Sequence, residues 1–98
     1  MHICEAQRRA WDNKIAKGFN TTDVALESGL LTAEVGEAFT AWRKRLPDFG
    51  GELADIAIYL AGIAQMNGID LADEVARKLA ISERRTYRRD DHGGNIRT

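Results

Sequence analysis

Proline, cysteine and histidine are almost missing from this 98-residue chain, which carries one Pro, one Cys and two His. The single cysteine, Cys4, excludes an internal disulfide framework. His2 and Cys4 at the start and His92 in the tail are too isolated to suggest a zinc-type ligand set. There is little net charge either, with 14 basic and 15 acidic residues giving −1, which argues against bulk electrostatic attraction to nucleic acid. No long hydrophobic run is present. The longest, Ile56 to Ala64, falls far short of the roughly 20 residues a membrane-spanning helix needs. The first dozen residues hold Glu5, Arg8, Arg9 and Asp12 with no apolar stretch between them, so no secretory signal is read there and a cytoplasmic location is expected.

What remains is an ordinary globular composition, 44% apolar, of a length that supports one domain. With so few breakers and almost no strand-like alternation, the chain reads as four helices. The first spans about Ile3 to Lys17 with Gly18 as its C-terminal cap, followed by a loop through Phe19, Asn20, Thr21 and Thr22. Thr22 or Asp23 caps the second, which Pro47 ends near Arg45. Glu52 opens the third, which reaches about Asn67 before Gly68. Asp70 caps the fourth, with Asp73 and Glu74 in its first turn, and this helix frays after Tyr87. Residues 1–89 thus form one helical domain, and 90–98 read as a flexible tail.

The acidic residues are the anomaly. At 100° per residue, Leu26, Leu30, Leu31, Val35, Ala38, Ala41 and Trp42 mark the apolar arc of the second helix, and Glu34 and Glu37 fall on that same face. In the third helix Glu52 and Asp55 share a sector with Ile56, Tyr59, Ile63 and Met66. A lone Glu-x-x-Glu is usually a solvated helix face. Two acidic pairs on two packing faces are different, because four carboxylates leaving water together are tolerated only when a cation sits among them or some protonate. An all-oxygen donor set favours Mg²⁺, with Mn²⁺ as substitute, over zinc. Glu27, one heptad before Glu34, reads as a dipole or supporting residue.

The run Leu30 to Ala38 with its Glu34-x-x-Glu37, then Gly51 to Leu60 with Glu52-x-x-Asp55, then Gly68-Ile69-Asp70-Leu71 and Lys78 before Glu83-Arg84-Arg85, resembles the MazG-like all-α nucleoside triphosphate pyrophosphohydrolases. The resemblance covers about Asn20 to Tyr87. It implies a four-helix MazG-like bundle completed by dimerisation that hydrolyses a nucleoside triphosphate to the monophosphate and pyrophosphate. Metal would be held by Glu34, Glu37, Glu52 and Asp55, with Glu34 or Glu37 serving as base. In that family a lysine and, one turn on, an asparagine of the last helix face the phosphates; Lys78 matches the lysine, while Ser82 stands where the asparagine would be. Tyr59 looks like a family tyrosine near the nucleotide.

Spacing independently places Lys78 and Arg85, seven apart, at the border of the apolar face formed by Leu71, Val75 and Leu79, suited to phosphate contact. Trp11, Phe19 and Asn20 are candidates for a base pocket in the first connection, and Trp42 is a candidate for base stacking or, on its packed arc, for core filling. The third helix is apolar all round, including Ala54, Ile58 and Ala61, so a second copy is needed to cover it, as a homodimer or a dimer of dimers. A rival reading takes the basic last helix, with Arg84, Arg85, Arg88 and Arg89, as a non-catalytic module binding nucleic acid or an acidic partner.

Overall fold

A computed structural model of the chain describes residues 1–89 and 91–98, with Tyr87 and Arg89 described by their backbone alone. Four helices follow one another: α1 (Ile3–Lys17), α2 (Val24–Arg43), α3 (Phe49–Met66) and α4 (Leu71–Arg84). Their starts are set by aspartates. Asp23, Asp48 and Asp70 each accept a hydrogen bond from a backbone N–H three residues on, at 3.0, 3.2 and 3.1 Å, which satisfies one of the donors a helix start leaves open. The third helix begins at Phe49 rather than Glu52, because Asp48 caps it. Gly51 makes that cap fit, since a Cβ there would lie 2.3 Å from an Asp48 carboxylate oxygen.

Three helices end alike. The N–H groups of Gly18 and Phe19 turn back to Ile15 and Lys14, those of Gly68 and Ile69 to Gln65 and Ala64, and those of Arg45 and Leu46 to Trp42 and Ala41. This is the Schellman arrangement, whose left-handed residue is usually glycine. Gly18 and Gly68 fill it as expected, at φ 69° and 66°, while α2 places Arg45 there at φ 54°. The helix therefore stops at Arg43, ahead of Pro47.

The packing runs from α3 outward: α2 and α1 both pack against it, and α4 rests against α1. The residues this buries are small, Ala38, Ala41, Ala61 and Ala64, and among the described residues no large side chain is fully buried. Two polar side chains are buried with them, Gln7 and Glu27. Gln7 of α1 donates through Nε2 to the Gln65 side chain (3.0 Å) and the Ile69 carbonyl (2.8 Å), while its Oε1 accepts from the Leu71 N–H (3.0 Å). It thereby ties α1 to the end of α3 and the start of α4.

The end of the chain differs from the expected tail. Strands β1 (Tyr87–Arg89) and β2 (Asn95–Arg97) pair antiparallel, and Thr98 N–H donates to the Thr86 carbonyl at 2.7 Å. Tyr, Ile and Thr suit strands, and Gly93 supplies a left-handed residue between them at φ 83°. Asp90, at which the expected tail begins, lies outside the described residues. Among those residues, no helix is long and apolar enough to cross a membrane.

Candidate active site

The packing of α2 on α3 brings residues of the two acidic motifs together. Oxygens of Glu34, Glu37 and Glu52 all lie within 4.8 Å of one another. Glu34 and Glu52 are half-buried, and each has one carboxylate oxygen, Oε2, that is shielded from solvent and without a hydrogen-bond partner. Such an atom is costly unless something pairs with it. Burial raises the Glu34 pKa, and the neighbouring charges of Glu37, Asp55 and Glu52, with a hydrogen bond to Glu37, push it the same way.

Two expectations need correction here. Glu37 is exposed, at the rim of the group rather than on the packed face of α2. Asp55 is exposed too and stands outside the set whose oxygens converge, although its charge reaches Glu34.

Beside the carboxylates, a cavity of about 340 Å³ opens between α1, the first connection, α2 and α3, a volume in the range of small-molecule sites. Tyr59 and Asn20 both line it, with Phe19, Leu30 and Ile58. Tyr59 spans the two features, since burial raises its pKa and the charges of Glu34 and Glu27 add to the shift, which keeps the phenol protonated. Asn20 is largely occupied with the loop itself. Its Oδ1 accepts from the N–H groups of Thr22 (3.2 Å) and Asp23 (3.0 Å), and its amide donates to the Asp23 carbonyl (2.8 Å).

Trp42 does not line this cavity and is not core. It is 60% exposed and lies against Phe39, with ring centroids 6.0 Å apart. Leu26, Val35 and Phe39 of α2 are likewise exposed, whereas Ala38 and Ala41 are buried. Trp11 lines a separate hollow between α1 and the start of α4. Lys78 and Arg85 flank an apolar trough on α4 with Leu71, Val75 and Leu79, and neither forms an ion pair with the carboxylate group among the described residues. Spacing along the sequence missed one charged residue at the site. Lys14 of α1 pairs with Glu27, and both line the cavity; only the tertiary packing of α1 on α3 reveals it.

No protein-family model matches the chain. A dATP/dGTP diphosphohydrolase of Salmonella phage PMBT28 is 44% identical over 66 aligned positions, which take in 60% of this chain and 23% of that protein. The chain thus spans less than a quarter of the length of the curated relative it matches. A MazG-like pyrophosphohydrolase of cyanophage S-2L, solved with dGDP and three catalytic Mn²⁺ ions per active site, superposes with a TM-score of 0.81 at 23% identity, covering 100% of this chain and 94% of that one. The resemblance carried by the two acidic helix motifs extends to the whole described architecture, and the chain has the MazG-like all-α fold.

Proposed function

We propose that the chain is a metal-dependent nucleotide pyrophosphohydrolase, cleaving the link between the α- and β-phosphates of a nucleoside triphosphate to give the monophosphate and pyrophosphate. The observation that supports it most is the pair of shielded, unpartnered oxygens of Glu34 and Glu52, facing the third carboxylate of Glu37. A hard divalent cation would partner those oxygens and relieve the repulsion that raises the Glu34 pKa. Glu34, Glu37 and Glu52 would hold it, with Asp55 one turn along α3 as the fourth oxygen donor. Mg²⁺ or Mn²⁺ bound there neutralises phosphate charge and acidifies a water.

The chain's own residues supply the rest. One of Glu34 and Glu37 takes the proton of the attacking water. Tyr59, protonated beside the carboxylates, donates to the nucleotide. The cavity between α1 and α2 receives the base, with Phe19 as the ring available for stacking. The two relatives, a dATP/dGTP diphosphohydrolase and a pyrophosphohydrolase bound to dGDP, support purine nucleotides as the substrate class.

A homodimer belongs to this reading. Val35, Phe39 and Trp42 of α2 are each 50% exposed or more, an apolar surface that a second copy would cover. Lys78 and Arg85, unpaired with the carboxylates of their own chain, would then contact phosphates across the subunit boundary.

Release of pyrophosphate from a panel of ribo- and deoxyribonucleoside triphosphates, with Mg²⁺, Mn²⁺ or a chelator, tests the function. Turnover with either metal and none with chelator is expected. No turnover of any nucleotide with either ion overturns it.

A further inference from the structure

The Lys14–Glu27 ion pair is buried, its side chains 12% and 3% exposed, yet it does not sit in the apolar core. Both residues face the cavity between α1 and α2. Removing two charges from water offsets most of what their attraction returns, so a buried pair is weak evidence for a stabilising role. Its surroundings suggest a ligand instead. An ammonium carries three N–H donors, and among the described residues Lys14 Nζ uses one, on Glu27 Oε1. Asn20 has both acceptor directions of Oδ1 and one amide hydrogen engaged in the loop, which leaves a further N–H. Lys14 Nζ and the remaining Asn20 N–H are thus donors this wall keeps for a ligand, beside the carboxylate of Glu27. The lysine stem also has a place made for it. A Cβ on Gly62 of α3 would lie 3.0 Å from Lys14 Cε, so the glycine lets the chain pass over α3 to the cavity.

We propose that Lys14, held in place by Glu27, is a specificity-determining residue that donates to the O6 and N7 acceptors of a 6-oxopurine and so favours guanine or hypoxanthine over adenine. This rests on the nucleotide-binding reading above. A 6-oxopurine presents two adjacent acceptors on this edge, whereas adenine sets an amino donor beside N7, which an ammonium opposes. Because Glu27 balances the charge, the base meets a donor in a neutral pair rather than a lone buried cation.

The test compares dGTP, dITP, 7-deaza-dGTP and dATP by kcat/KM with Mn²⁺, and dGMP, dIMP and dAMP by equilibrium binding, so that base preference is read even where nothing is hydrolysed. Two proteins are used, the native chain and Lys14→Met combined with Glu27→Gln, since changing Lys14 alone strands a buried carboxylate. In the native chain dGTP and dITP should exceed dATP by about tenfold, the scale of one lysine contact to such an edge, with 7-deaza-dGTP falling toward dATP. The monophosphates should bind in the same order. In the double variant the ratio should fall toward one.

Several results overturn the proposal: equal use of the bases by the native chain, a preference that follows the 2-amino group so that dITP behaves as dATP, or a ratio the double variant leaves intact. The native comparison stands even where the double variant fails to fold. Hydrolysis without 6-oxo preference overturns this proposal alone, whereas base-selective binding without any hydrolysis overturns only the catalytic reading.

Discussion

Glu34 is the residue at which structure and chemistry meet. Its pKa is raised by burial first and by the neighbouring carboxylates after that, so the folded chain keeps a proton there that the unfolded chain releases. The sign of the linkage follows: between the ordinary glutamate range and the raised value, the metal-free fold loses stability as pH rises, and below that window the penalty is absent. Replacing Glu34 by Gln should flatten that slope and leave the metal-free protein at least as stable at neutral pH, while hydrolysis is lost. Thermal melts across pH with chelator present check this, and a destabilised variant with an unchanged slope would contradict it. Gln7 behaves oppositely. Its side chain makes three hydrogen bonds to α3 and to the segment leading into α4, so Gln7→Leu strands the Leu71 N–H and the Ile69 carbonyl and should cost about 1–3 kcal/mol in a denaturant titration. A loss below a few tenths would show that those groups find other partners.

Among the elements, the helices were legible because their ends carry local chemistry. Asp23 before α2, Asp70 before α4, and Gly18 and Gly68 after α1 and α3 act within a few residues of themselves, whereas the Asp48 cap that starts α3 at Phe49 instead of the expected Glu52 is hidden in the connection after Pro47. The acidic spacing in α2 and α3 was legible for the same reason, since three residues on a helix fix a shared face. What was not legible depends on which helix packs on which. Lys14 and Gln7 look like solvated positions of α1 until α3 is laid beneath them, and the exposure of Glu37 and Asp55 depends on how α2 and α3 are rotated against each other. The strand pair after Thr86 escaped because each strand is only three residues long, too short to show an alternation. Arg45 carries a prediction of its own. It holds a left-handed conformation at φ 54° that costs a non-glycine residue roughly 1–2 kcal/mol, so Arg45→Gly should raise stability by up to about 1 kcal/mol once the added freedom of the unfolded chain is counted. A lower melting temperature would mean that the Arg45 side chain stabilises the turn in some further way.

For the whole molecule, shape and surface agree. The radius of gyration is 16.1 Å, against about 13 Å for a compact domain of this size, and among the described residues the buried apolar side chains are four alanines. Phe39 and Trp42 are each 60% exposed, and the homodimer proposed above would cover them. Sedimentation equilibrium should give a dimer or a dimer of dimers, and Val35→Asp, which places a charge on the α2 arc, should shift it toward the monomer. A native chain that is monomeric at micromolar concentration would contradict the assembly.

Whether the carboxylate group holds a metal at all underlies every step of the catalytic reading, and calorimetric titration of Mn²⁺ into the native chain and into Glu52→Gln measures it directly. Saturable binding by the native chain that weakens at least about tenfold in the variant is expected, because Glu52 contributes one of the two shielded oxygens with no other partner. Binding of equal strength in both proteins, or none in the native chain up to millimolar Mn²⁺, would contradict it.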